Sequence, residues 1–343
     1  MPFYCTFFQG GLTISLLSRK KLSPFFPKQE VPVTKTERCE TLTDAALGLI
    51  IREATNRAAN FVRLERFVFE REPKCSYDGT LTDLVTSADR AAQAAILGVL
   101  QTTTPSYGIV AEEEDLRIEP KESSWPKRYW IVDPLDGTKA FGRMQSHGIG
   151  TMIALLEEKH VISVCIEDVM TGEIYYFRPG SYKVHRMDRV GARLRLDLLD
   201  PTRPLSDQYL LVRKNPWEFA PAIRQKFIPR ADRKQNLFKD FEIEGGSIGL
   251  SFARLWKGEI GGVLLLGNNP NQPWDWAPVM GISERLGYVP LRLEIQDDRI
   301  LKALPYTIDI YDVQAPGCPI LIVHQTHIQT VSDWFHCSQD HDA

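Results

Sequence analysis

Four short stretches of the 343-residue chain place acidic residues where an apolar run ends. They are Asp83 and Asp89 in DLVTSAD, Glu112 to Glu114 in VAEEE, Asp133 and Asp136 in VDPLDGT, and Asp275 in PWDWAP. Carboxylates that share a partly dry site repel one another and lose solvation. Hard divalent cations with oxygen ligands relieve both effects, and Mg2+ leaves room beside a few carboxylates for water and phosphate oxygens. In VDPLDGT the apolar run places Asp133 at a strand end, where α/β folds present ligands beyond the sheet edge. Pro134 keeps Asp133 extended and predicts a sharp exit from the strand. Asp136 then returns its carboxylate to the same side, with the Leu135 carbonyl between the two as a neutral oxygen. Gly137 admits unusual dihedrals and close approach of a ligand. A helix starting near Thr138 would aim free N–H groups at an anion. Metal, phosphate and helix N-terminus together outline phosphoryl transfer. The structural alternatives are an Asp-Pro turn, an N-cap at Asp275 and a helix cap at Thr138.

Those residues need elements to hold them. From Thr43 to about Arg66 the apolar residues fall at helical spacing, with Thr43 or Asp44 as cap. DLVTSADRAAQAAILGVLQ starts extended and becomes an Ala-rich helix from about Ala88. YGIVAEEE and RYWIVDPLDGT read as buried strands, and GTMIALLEE, VISVCIEDV and EIYYFRPG as antiparallel ones. Residues 181–207 form a charged, less regular link, with the lysines and arginines of 183–195 read as a solvated face. Beyond it strand and helix signals alternate: YLLVRKN, an amphipathic helix near 217–228, GGSIGLSFARLWKGEIGGVLLL, PWDWAPVMGISERLG, and a final strand and helix in PILIVHQTHIQTVSDWF. This predicts an N-terminal extension (1–40), an α+β half (41–205) with most metal ligands, an α/β half (206–337) with Asp275 and the specificity elements, and a tail (338–343). His324 and His327 in HQTH straddle a strand-to-helix transition and are read as structural rather than as metal ligands.

Composition excludes several classes. A net charge of -3 leaves no global field for nucleic acid or an anionic membrane. No apolar run reaches the roughly 18 residues of a transmembrane helix. The six cysteines are scattered without CxxC spacing, which predicts free thiols in a reducing compartment. Residues 1–29 lack Asp and Glu but carry Arg19, Lys20, Lys21 and Lys28 after the apolar part, the wrong order for a secretory signal. The expected location is cytoplasmic and soluble, with organellar targeting left open.

The four acidic motifs carry a resemblance. DPLDGT, VAEEE, DLVTSAD and PWDWAP are similar, in order and separation, to the signatures of the inositol monophosphatase-like superfamily of Mg2+-dependent, lithium-sensitive phosphatases. With GGSIGLSFARLWKGEIGG and the last strand and helix, the likeness covers roughly residues 43–337. It implies a layered αβαβα sandwich, two or three Mg2+ ions, and hydrolysis of a small phosphorylated metabolite. Inositol monophosphate or a similar polyol or sugar phosphate leads, and family members are often homodimers. It further implies that Glu112, Asp133 and the Leu135 carbonyl hold a first ion, and Asp133, Asp136 and Asp275 a second. Thr138 paired with Asp89 would activate water, with Glu113 nearby or at a third ion. Gly137 and Thr138 N–H groups would take phosphate oxygens, and Ser247 and Asn268 would face the substrate.

The chain also departs from the pattern. LGNNPNQP carries Asn268 where inositol-specific members have an acid, and a family lysine before DLVTSAD is replaced by Asp78, with Lys74 nearby. DPLDGTK resembles 3'(2'),5'-bisphosphate nucleotidases, and GIGTMIALLE histidinol-phosphatase-like members. Those activities are the alternatives, and a non-catalytic binding descendant is a third.

Overall fold

The computed structural model describes residues 42–74, 83–227, 236–267, 272–296, 299–308 and 316–337. The expected extension 1–40, the tail 338–343, Asp78 and Asn268 lie outside them. Two helices open the described chain, α1 (Asp44–Glu65) and α2 (Ser87–Thr103), with strands β1 (Arg71–Lys74) and β2 (Asp83–Thr86) between them. Thr43 caps α1 by accepting from the Ala46 N–H at 3.2 Å. Leu47, Ile51, Ala54, Ala58 and Val62 recur at three- and four-residue intervals and are fully buried. Each buried Leu or Ile side chain contributes about 1.5–3 kcal/mol by leaving water.

Then come β3 (Gly108–Ala111), β4 (Leu116–Ile118), β5 (Arg128–Asp136), the short α3 (Thr138–Gly142), β6 (Gly150–Glu157), β7 (His160–Asp168), β8 (Ile174–Phe177), β9 (His185–Met187) and β10 (Arg193–Arg195). They form one sheet in the order β10-β9-β8-β7-β6-β5-β3-β4, antiparallel except where β3 meets β5. The second sheet takes β11 (Tyr209–Val212), β12 (Asp240–Ile243), β13 (Gly262–Leu265), β14 (Tyr288–Gln296), β15 (Arg299–Pro305) and β16 (Ile320–His324) in the order β12-β11-β13-β16-β14-β15. Its helices are α4 (Pro221–Phe227), α5 (Ile248–Trp256), α6 (Pro273–Arg285) and α7 (Ile328–Cys337).

Three apolar clusters order the layers. Helices α1 and α2 pack on one face of the first sheet through Ile51, Ile96, Trp130 and Val132. The other face, α5, α6 and the second sheet share a core with Ile131, Phe252, Trp256, Ile282 and Ile322. Beyond the second sheet, Phe227 of α4 and Val331 and Phe335 of α7 close the last layer with Leu321 and Val323. This is the αβαβα sandwich that the resemblance implies.

Three differences from the sequence reading have local causes. The charged link 181–207 contains β9 and β10, which extend the first sheet. At three residues each, with Arg in every second or third place, they show no alternation to read. The helix near 217–228 begins only at Pro221, whose fixed φ suits a first helical position. The β14–β15 hairpin carries no clear sequence signal, because alternation in YVPLRLEIQ is obscured by a register shift between Glu294 and Ile295. Among the described residues, no helix is long and apolar enough to cross a membrane.

Candidate active site and metal centre

Two residues three apart on a regular strand point to opposite faces of the sheet. Asp133 and Asp136 escape that rule. Asp133 pairs with Met152 and Asp136 with Gly150, so Pro134 and Leu135 together oppose Thr151 alone. One extra residue is a β-bulge, and it restores the parity that brings both carboxylates together. The Thr151 hydroxyl donates to the Pro134 carbonyl at 3.0 Å, holding the bulge in place. The expected exit from the strand at Pro134 is therefore corrected, because β5 continues to Asp136 and the proline sits within the bulge.

Carboxylate oxygens of Asp133, Asp136 and Asp275 lie within 4.8 Å of one another. Asp275 enters from the first turn of α6, where a helix N-terminus favours negative charge. Asp136 is anchored at a second helix start. It accepts from the Ser247 hydroxyl and from the backbone N–H groups of Ile248 (3.0 Å) and Gly249 (2.9 Å), at the head of α5. Ser247 is buried, and its hydroxyl also accepts from the Leu250 N–H at 3.0 Å. Its proton is thus committed to Asp136 and one lone pair to the head of α5, which leaves one lone pair for a donor from elsewhere.

Asp133 has no such support. It is buried, and its Oδ1 has no hydrogen-bond partner. Burial first, then the charges of Glu112, Asp136, Asp275 and Asp89, push its carboxyl well above the usual range. Burial raises Asp136 too, opposed by the Arg213 guanidinium and by the bonds from Ser247, Gly249 and Ile248. Glu112 is half-buried and lies outside the group of three, yet it is the strongest charged neighbour of Asp133.

A second group adjoins this one. Asp89 is buried in the first turn of α2, where its carboxylate accepts from the Thr86 N–H at 2.8 Å and from the Thr86 hydroxyl. Burial dominates over these bonds, and with the charge of Glu113 it lifts Asp89 to about 6. The Thr138 hydroxyl lies 3.2 Å from Asp89 Oδ1 and 3.1 Å from the Leu135 carbonyl, so its proton has two acceptors and its own oxygen can still receive one. Glu113 is buried, with its N–H and carbonyl held by the Gln93 side chain at 3.1 and 3.0 Å.

Gly137 makes the turn out of β5 possible. Its φ is 94°, and a Cβ there would stand 2.3 Å from the Gly148 carbonyl oxygen and 2.8 Å from the Ser247 nitrogen. Gly137→Ala is expected to lower thermal stability by at least the roughly 1–3 kcal/mol of left-handed strain, with the backbone collision added. Thermal unfolding measures it, and an unchanged melting temperature would show that the three loops can yield.

Arg213 directly follows β11, and its guanidinium donates to the carbonyls of Gly246 (2.6 Å) and Ser247 (2.8 Å) and to the Ser251 hydroxyl. It thereby clamps the loop that presents α5 to Asp136. The only signal in sequence is a cation directly after an apolar strand. His324 and His327 stand apart from the carboxylates: His324 Nδ1 meets the Thr326 hydroxyl at 2.9 Å and His327 Nε2 the Pro201 carbonyl at 3.0 Å.

The donor set fits a divalent metal. It is all oxygen, it sets several carboxylates against one another beside the Arg213 guanidinium, and it leaves a buried Asp133 oxygen unsatisfied.

Comparisons with known proteins agree with that geometry. A 3'(2'),5'-bisphosphate nucleotidase, CysQ, from Salmonella typhimurium is 37% identical over 123 residues, 35% of this chain and 47% of the relative. An inositol-1-monophosphatase from Rhizobium meliloti is 35% identical over 116 residues, 32% of this chain and 41% of the relative. The chain thus matches about half the length, or less, of these curated relatives. The extragenic suppressor protein suhB of Bartonella henselae superposes with a TM-score of 0.61 over 84% of this chain and 98% of that one, at 17% identity, which shows the fold. The inositol monophosphatase family profile matches residues 39–306, and the chain belongs to that family.

Proposed function

We propose that the chain is a Mg2+-dependent phosphomonoesterase acting on a small phosphorylated metabolite, with inositol monophosphate and similar polyol or sugar phosphates as the leading class. The observation that carries this reading is the buried Asp133–Asp136–Asp275 group beside the Asp89–Thr138 pair. Glu112, Asp133, the Leu135 carbonyl, Asp136 and Asp275 would hold the ions. When bound, the metal supplies positive charge that acidifies a water and offsets charge on the phosphate. Thr138 orients that water by accepting a hydrogen bond, and its own proton points to Asp89. Water oxygen attacks phosphorus, the ester P–O bond breaks opposite, and the departing alkoxide takes a proton from solvent. The proton lost by the water passes through Thr138 to Asp89, whose position near 6 suits a base working close to neutrality. The N–H groups of Gly137 and Thr138 receive phosphate oxygens.

A phosphate-release panel tests this with Mg2+, with and without lithium, on inositol monophosphates, adenosine 3',5'-bisphosphate, histidinol phosphate and fructose 1,6-bisphosphate. Thr138→Ala should lower kcat by about 10²–10⁴ and leave metal affinity unchanged, with Thr138→Ser recovering most of the rate. No release from any substrate by folded, Mg2+-loaded protein would favour a binding role over catalysis.

The likeness to CysQ favours a bisphosphate nucleotidase as second reading. A second phosphate and a stacked base would call on Arg213, Lys214 or Trp217, and two of these weaken the reading: Arg213 is engaged with backbone carbonyls, and Trp217 is exposed with Arg224 over its ring at 5.0 Å. Preferential release from adenosine 3',5'-bisphosphate would reverse that ranking.

A further inference from the structure

A second concavity lies away from the carboxylates, between the first half of α1 and the β8–β10 end of the first sheet. Its volume is about 290 Å³, and Arg52, Arg178, Lys183, Arg193, Tyr176 and His185 line it with no acidic residue. Strands β8 and β9 are three and four places from β5, which is roughly 14–19 Å at the usual strand spacing.

Neighbouring acids are engaged elsewhere. Glu173 pairs with Arg186, Asp197 with Arg195 and Glu53 with Arg57, while Asp44 lies against Gly180. Among the described residues, Arg52, Arg178, Lys183 and Arg193 have no ion pair, although the cations converge on one groove. Unpaired like charges repel, so a groove that gathers four of them is stabilised by an anion. Gly48 helps to build it: a Cβ there would stand 2.7 Å from Arg178 Cβ, so the glycine lets that side chain lie across α1.

The walls also select the kind of anion. Tyr176 is covered on one side by the Arg52 guanidinium at 5.2 Å, and His185 stacks on the ring at 5.4 Å and 25°. With the ring occupied, the groove offers charge and little surface for stacking a base. We propose that it is a second anion site, separate from the carboxylate centre, which takes a compact polyanion bearing phosphate groups. Lys183 and Arg193, read in sequence as part of a solvated face, belong to it, whereas Arg186 and Arg195 are paired.

Equilibrium dialysis of the full chain with labelled inorganic pyrophosphate tests this, in EDTA at low ionic strength, where the carboxylate centre repels anions. One equivalent is expected to bind. Arg178→Gln with Arg193→Gln should weaken binding at least tenfold per guanidinium. Arg57→Gln with Arg292→Gln changes net charge equally and should leave binding almost unchanged, as should Asp133→Asn. Melting curves establish that each variant is folded. Absence of binding at millimolar pyrophosphate, equal weakening by both arginine pairs, or loss of binding in Asp133→Asn would each overturn the proposal. The phosphatase reading stands or falls separately, on phosphate release.

Discussion

Asp133→Asn is expected to abolish metal-dependent phosphate release while raising the melting temperature of the metal-free protein. Several kcal/mol of charge stabilisation depend on a metal ligand of this kind, which corresponds to a loss of at least about 10³ in rate. The stability change has the opposite sign because the Asp133 carboxylate is buried among like charges and its Oδ1 has no donor. Removing that charge removes an unfavourable desolvation without breaking a hydrogen bond at Oδ1. In a chain of this size each kcal/mol moves the melting temperature by about 2–4 °C, so the rise should be several degrees.

Asp136→Asn supplies the contrast. Asp136 caps α5 through three donors and faces Arg213, so its neutralisation should lower the metal-free melting temperature. Loss of a helix cap alone removes about 0.5–2 kcal/mol. Calorimetry of both variants in EDTA, beside phosphate-release assays with Mg2+, reads the two signs together. A fall in stability for Asp133→Asn, or full activity, would show that these carboxylates are held by something other than a metal.

Much of the site can be read in the sequence because acidic residues at the ends of apolar runs are conspicuous. Asp133, Asp136 and Asp275 come together in the fold, and Thr138 meets Asp89, as the motifs suggest. What escapes the sequence is whatever depends on a distant partner. The bulge at Pro134–Leu135 exists only relative to Met152 and Gly150 across the ladder. The bond from Ser247 to Asp136 joins residues 111 apart in the chain. Ser247 reads in sequence as a substrate contact beside a glycine-rich turn, and nothing local shows that it also caps α5 and holds Asp136. Arg213 is ambiguous for the same reason, since nothing local says which loop its guanidinium will hold. The layered fold is legible through the family resemblance, whereas β9, β10 and the β14–β15 hairpin are too short, too charged or too irregular for periodicity to mark.

The stabilising effect of Mg2+ should grow with pH between 5 and 8. Asp89 is raised to about 6, and burial with neighbouring charges raises Asp133 and Asp136 as well. For an acid whose folded pKa exceeds its unfolded value, the stability contribution is full below the unfolded value, near 3.9 for Asp, and is lost as pH rises through the folded value. For Asp89 that window runs from about 4 to about 6, and Asp133 and Asp136 lose their contributions in the same direction. Metal-free protein thus loses the contribution of these groups as they ionise, and two of them, Asp133 and Asp136, are the carboxylates that would bind metal. His185, His324 and His327 work in the other direction. Burial lowers each of them, so stability is gained as pH rises through the unfolded histidine value. They lie outside the metal centre, so their contribution cancels when melting temperatures with and without Mg2+ are subtracted at each pH. At a free concentration a hundred times the dissociation constant, Mg2+ adds about 2.7 kcal/mol, and protons should erode that increment steadily toward pH 5. An increment that is flat with pH, or largest at pH 5, would mean that Mg2+ binds somewhere other than at these carboxylates.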